Sequence, residues 1–222
     1  MARNKTKIID IDRSLYDQFN AQPAAYQVER GLTRDIVAEI SEGKGEPGWM
    51  RELRFRALDT YHKLALPSWG PSLHELNMDQ VVTYVRPNTP MTDDWSKVSL
   101  EIKGTFEALG IPKAERESLA GVGAQYDSEV VYHSIQKELL DQGVVYTDMD
   151  TALREHEDMV KDHFMKLLRA AEHKFLALHG AVWSGGSFVY VPPGKQVEMP
   201  LQSYFRVNAP GNRIGEIGRA HV

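Results

Sequence analysis

The chain has 222 residues, 42% hydrophobic and 26% charged, with a formal net charge of −5 and a pI near 5.9. That balance fits a globular protein of one or two domains. It argues against disorder throughout and against a basic surface for nucleic acid or anionic lipid. With no cysteine, these residues hold no disulfide, thiolate metal or cluster ligand, or cysteine nucleophile.

The opening MARNKTKIIDIDRS is polar and lacks the apolar run of a secretory signal. No stretch approaches the roughly 18 apolar residues that span a bilayer. A cytoplasmic setting, without membrane or nucleic-acid partners, is the expectation. Residues 1–30 read as a polar arm, extended or mobile. Thr33 is positioned to cap a helix over Arg34–Ser41, with Ile36, Val37 and Ile40 at helical spacing and Gly43-Lys44-Gly45 ending it. Pro47 opens a second helix. Met50, Leu53, Ala57, Tyr61 and Leu64 line one face of it, and Pro67 stops it.

Residues 67–100 are loop-rich, with one short strand expected at Val81–Val85. Pro112 is expected to open a helix that ends at a Gly121-Val122-Gly123 turn. Ser128 is expected to cap another helix running to Gln142, with Gly143 as its left-handed terminator. Val144-Val145-Tyr146-Thr147 reads as a buried strand. Asp148 or Asp150 then caps Thr151–Glu155, and a helix follows over about 157–168. After Lys174–Ala181 the period changes from helical to alternating. Phe188-Val189-Tyr190-Val191 is a β run between Gly185-Gly186 and Pro192-Pro193-Gly194. Val197, Met199 and Leu201 alternate with polar residues, and Tyr204-Phe205-Arg206-Val207 continues the strand. Pro200 places this run at an edge or a corner.

Most sequence signals for chemistry have a plainer structural reading. Gly43-Lys44-Gly45-Glu46-Pro47-Gly48 has dinucleotide-loop spacing but follows a helix where a strand is required, so it reads as a helix-breaking loop. Gly194-Lys195 reads as a turn. His156, His163, His173 and His179 make no H-x-x-x-H or H-E-x-x-H pair and read as solvated or capping residues. Glu155, Glu157 and Asp158 read as a wet helical surface, and Trp49, Met50 and Phe55 as core packing. Arg206 and Asn208 differ: two residues apart, they share one face of a strand, where a charge and an amide can bind an anion or orient a nucleophile.

Several segments together resemble the SufB family, the scaffold subunit of the SUF iron–sulfur assembly machinery. They are Gly31-Leu32-Thr33 through Ile40, Glu46-Pro47-Gly48-Trp49-Met50 with its Arg-rich helix, Tyr126-Asp127-Ser128, and Gln142-Gly143-Val144-Val145-Tyr146. Phe188 through Gly194 and Leu201-Gln202-Ser203-Tyr204-Phe205-Arg206-Val207-Asn208 complete the collinear set. The resemblance implies an α+β fold in which a mainly helical α/β region leads into the first strands of a truncated right-handed parallel β-helix. Residues 1–30 are then the arm, 31–182 the helical α/β region and 183–215 the start of the β-helix core. Residues 216–222 depart from the family; they reverse-translate to an adapter-like DNA and read as a non-native tail. Leu168-Arg169-Ala170-Ala171 also departs, standing where relatives carry prolines.

The function this implies is a non-enzymatic scaffold for iron–sulfur cluster assembly. Its family partners are a SufC-type ATPase, a SufD-type subunit and SufS/SufE-type sulfur donors. The cluster, and a reduced flavin, belong to the full-length complex. The chain is expected to be an N-terminal fragment without catalytic, cofactor or metal residues of its own. Arg206 and Asn208 are its candidates for the sulfur-transfer interior of the β-helix. A small β-fold sugar isomerase and a helical interaction module completed by a partner strand are the alternatives.

Overall fold

The computed structural model describes residues 24–70, 72–74, 76–108, 119, 121–206 and 217–220. Strand β1 (Ala24–Gln27) pairs antiparallel with β2 (Val85–Pro87) and covers one flank of the helical layer. The arm residues Ala24–Gln27 are thus extended and paired, and an isolated bridge joins Arg30 to Val82. The expected strand at 81–85 is displaced toward Pro87.

Helix α1 (Arg34–Lys44) starts as its sequence dictates, with the Thr33 Oγ1 accepting from the Ile36 N–H at 3.3 Å. Gly45, left-handed at φ 62°, ends it. Helix α2 (Gly48–Lys63) follows from Pro47. Val37, Ile40, Ala57 and Leu58 from these helices pack with Ala177, Leu178 and Ala181 of α7 (Lys174–Val182) into one core. Each buried valine, leucine or isoleucine among them stabilises the fold by roughly 1.5–3 kcal/mol, and each alanine by less. Helix α3 is Leu100–Ala108; Ile102 and Phe106 on it pack with Val122, Tyr126 and Val131.

The sheets begin at a site the sequence disguises. Gly121–Tyr126 is strand β3, not a turn, and Glu129–Ile135 is strand β4, not a helix; the two form an antiparallel hairpin. Asp127, at φ 54°, makes the tight turn. The Ser128 hydroxyl accepts from the Val85 N–H at 2.9 Å, so it fastens a neighbouring strand and caps no helix. Val130 and Val131 also favour the pleated backbone. Only a single turn, α4 (Lys137–Leu140), is helical in this region, and Gly143 (φ 80°) terminates it as expected.

Strand β5 (Val145–Asp148), half-buried in alternation, runs into α5 (Met149–Glu155), which Asp148 caps by accepting from the Asp150 and Thr151 N–H groups. Helix α6 (Glu157–His163) ends five residues before the expected 168. Phe164 turns extended into a core of Met50, Met149, Trp183 and Phe188, and Met165 adopts φ 53°. That burial outcompetes continuation of the helix. Strand β6 is Gly185–Tyr190, and β7 is Leu201–Arg206. Residues 191–200 between them lack the strand their alternation suggests. Strand β8 is Ile217–Ala220.

These strands build two three-stranded sheets, ordered β4-β3-β7 and β5-β6-β8. Within them β3–β7 and β6–β8 are parallel, whereas β3–β4 and β5–β6 are antiparallel. The chain therefore leaves β6 in one sheet, runs through β7 in the other, and returns as β8 beside β6. The sheets are joined by side chains: the Tyr146 hydroxyl on β5 lies 2.7 Å from both the Gln202 carbonyl and the Ser203 hydroxyl on β7, and Ser187 on β6 lies 2.6 Å from Ser203. The molecule is an α+β fold. No helix among the described residues is long and apolar enough to cross a membrane.

Candidate functional site

Three elements converge on Lys44. Its backbone is the last residue of α1, fixed by the turn into α2. That turn is anchored by the next residue but one: Glu46 takes a bidentate ion pair from the Arg54 guanidinium, at 2.7 and 2.5 Å. Arg54 is fully buried. It also donates to the Ala181 and Trp183 carbonyls at the end of α7, at 3.0 and 2.9 Å, and lies 4.7 Å from the Trp183 ring centroid. A cation at a helix C-terminus, with its donors spread over a carboxylate and two carbonyls, is well placed.

With the turn held, the Lys44 side chain points inward and is only 2% exposed. Its ammonium lies 2.6 Å from Asp150 Oδ2 on α5 and 3.2 Å from Glu129 Oε1 at the start of β4. Tyr84 donates its hydroxyl to the same Glu129 oxygen. Burial alone would lower the Lys44 pKa; Asp150 and Glu129 outweigh it and hold the ammonium above its ordinary 10.5. Asp150 is pushed up to about 6 by burial, against the pull of Lys44, with Glu129 and Asp148 adding repulsion. One cation cannot fully offset this buried group of carboxylates, so Asp150 takes up a proton more readily than a free carboxylate. Burial and Glu129 also raise the Tyr84 phenol well above its usual range.

These groups form the floor of a cleft of about 490 Å³, with Arg86, Pro87, Thr89, Pro90, Met91 and Arg154 among the residues around it. Its volume lies within the range of small-molecule sites. A second polar cluster lies between the sheets. His133 on β4 lies tilted against the Tyr146 ring with centroids 4.5 Å apart, and burial lowers its pKa against the pull of Asp148. The space beside it is only about 10 Å³, room for a water at most. This cluster glues the sheets together and is no ligand pocket.

The sequence-derived candidates lie elsewhere. Arg206 ends β7 in register with Tyr126, its carbonyl accepting from the Asp127 N–H at 2.9 Å. Asn208 lies outside the described residues, as does the helix expected from Pro112. His173 caps α7, its ring nitrogen accepting from the Phe175 N–H at 3.1 Å. Glu155, Glu157 and Asp158 are exposed. Pro192 to Lys195 is a turn closed by the Lys195 N–H on the Pro192 carbonyl, at 3.1 Å. Among the described residues no three His, Cys, Asp or Glu side chains are grouped to hold a metal. The stretch Gly43–Gly48 does separate the helices as its sequence indicates, with Gly45 ending α1 and Pro47 preceding α2, but sequence reasoning passed over Lys44 within it. A lysine between two glycines gives no local sign that its carboxylates are 85 and 106 residues away.

A family-wide sequence pattern described as the SufBD protein N-terminal region matches residues 43–203, from the residue before Lys44 to the Ser203 that joins the sheets. The iron–sulfur cluster assembly protein SufB of Bacillus subtilis is 47% identical over 216 residues, which is 97% of this chain and 46% of that protein. An iron–sulfur cluster assembly SufBD family protein of Staphylococcus haemolyticus is 46% identical over 222 residues, 100% of this chain and 47% of the relative. A counterpart from Staphylococcus epidermidis is also 46% identical over the same length. The chain spans about half the length of the curated relatives it matches. With the family pattern covering most of its length and near-half identity throughout, the chain belongs to the SufBD family of iron–sulfur cluster assembly proteins.

Proposed function

We propose that this chain serves as the N-terminal part of a SufB-type scaffold on which iron–sulfur clusters are assembled, in the cytoplasm. The scaffold works with a SufC-type ATPase, a SufD-type subunit and SufS/SufE-type sulfur donors, and the scaffold itself is not the catalyst. The observation that supports this reading beyond family membership is the path from β6 to β7, in which the chain crosses from one sheet to the other and lies parallel along β3. A crossing of this kind is the step from which a parallel β-helix is built, to which further coils add one rung at a time. We read β6 and β7 as the start of the first coil of a right-handed β-helix. Arg206, at the end of β7, and Asn208, two residues on in the sequence, are the groups we assign to the route of incoming sulfur.

In this reading the thiolates that receive sulfur and iron belong to residues that would continue the helix, since these 222 residues contain no cysteine. Cluster, and any reduced flavin, belong to the assembled complex. The test is anaerobic reconstitution with ferrous iron and sulfide, monitored by visible absorbance. The chain alone is expected to develop no stable stoichiometric chromophore. A chimera that continues from β7 into the remaining part of the B. subtilis SufB is expected to develop one. A chromophore on the chain alone, or none on the chimera, would overturn the proposal.

A further inference from the structure

We propose that the Lys44 cleft binds a small molecule bearing an O–H or N–H donor at one end and an anionic group at the other. The inference rests on three features of the same cavity and is independent of the scaffold reading.

The floor contains an acceptor with nothing to accept. Asp150 Oδ2 takes the Lys44 ammonium at 2.6 Å, but its Oδ1 is buried and has no hydrogen-bond partner among the described residues. A buried acceptor left unsatisfied is disfavoured, so natural folds almost always pair it with protein, water or ligand. Asp150 lines the cleft, and the donor is proposed to enter from that side. The Lys44 ammonium donates to Oδ2 and Glu129 and not to Oδ1, and the Tyr84 hydroxyl proton is already committed to Glu129.

The rim carries the opposite charge. Arg86 and Arg154 are both exposed and line the cleft, and neither has a carboxylate within ion-pair distance among the described residues. Arg154 keeps one donor on the Thr151 hydroxyl at 2.9 Å, and Arg86 lies 5.5 Å from the Tyr26 ring. Each retains guanidinium N–H groups for a carboxylate or phosphate. Pro87, Pro90 and Met91 supply apolar wall. A negative floor, apolar wall and exposed positive groups complement a bipolar molecule. A bare anion would meet the two carboxylates at the floor, and a hydrophobic ligand would leave Asp150 unpaired.

The discriminating probe is 4-hydroxyphenylacetate, which has a phenol donor, an apolar body and a carboxylate. Phenylacetate lacks the donor, 4-hydroxyphenethyl alcohol lacks the anion, and inorganic phosphate lacks the body. Each is titrated into the isotopically labelled 222-residue chain and followed by amide chemical shifts. The expected result is a saturable shift centred on Gly43, Thr89 and Met91 with 4-hydroxyphenylacetate, and at least tenfold weaker binding of the other three. The double variant R86Q/R154Q, altered only at exposed side chains, is expected to weaken binding about tenfold with an unchanged melting temperature. No saturable shift with 4-hydroxyphenylacetate, equal binding of all three aromatic probes, phosphate binding as tight, or an indifferent double variant would each overturn the proposal.

Discussion

Asp150 shows how a single carboxylate acquires a pH dependence from where it is held. Its ordinary value is 3.8, and burial near Glu129 and Asp148 raises it to about 6 despite Lys44. Between those values the folded chain keeps a proton that the unfolded chain has released, so this residue's contribution makes stability fall as pH rises through about 4 to 6. Above pH 6 the penalty is fully present; below pH 4 it is absent. Lys44, raised above 10.5, stays charged throughout this window. The substitution D150N removes the titration while keeping the shape. Urea unfolding of both chains from pH 4.5 to 7 should show the wild type losing stability relative to the variant, by on the order of 1–3 kcal/mol across the window. Parallel curves would mean that Asp150 does not titrate there.

At the scale of elements, the clearest contrast is between two glycines. A methyl at Gly121 in β3 would stand 2.5 Å from the Tyr146 Cδ1 and 2.9 Å from the Leu201 Cδ2. The Tyr146 ring cannot swing aside, because its hydroxyl is tied to the Gln202 carbonyl and the Ser203 hydroxyl. A methyl at Gly43 in α1 meets nothing within 4 Å. Thermal unfolding should therefore show G121A destabilised by about 1–3 kcal/mol, and G43A unchanged or stabilised by up to about 1 kcal/mol. A neutral G121A would mean that β5 and β3 do not pack as described.

The same contrast explains what the sequence disclosed. Helices α1 and α2 were legible because caps, glycines and a 3.6-residue period act within one turn or two. The hairpin β3–β4 was not. Gly121-Val122-Gly123 looks like a turn until a tyrosine from another strand is laid on it, and Ser128 looks like a helix cap until its hydroxyl is found on Val85, 43 residues away. Lys44 was missed for the same reason, and Arg54 looked like one cation of an Arg-rich helix until the carbonyls ending α7 enclosed it. Local periodicity finds elements; it does not find the contacts that long-range pairing creates.

For the whole molecule, the sheets depend on strands late in the chain. β7 lies parallel along the full length of β3, and it supplies two partners of the Tyr146 hydroxyl, the Gln202 carbonyl and the Ser203 hydroxyl, the latter also meeting Ser187. Ending the chain at Pro200 would leave the edge of β3 open and those buried hydroxyls without their partners, each loss costing on the order of 1–3 kcal/mol. The helical core of α1, α2 and α7 shares none of these bonds. Far-ultraviolet circular dichroism during heating should thus resolve the truncated chain into a retained helical transition and an earlier loss of sheet signal, where the intact chain melts as one unit. A truncated chain that melts at the intact temperature in a single step would place β7 outside the folding unit and remove the structural support for a coil beginning at β6.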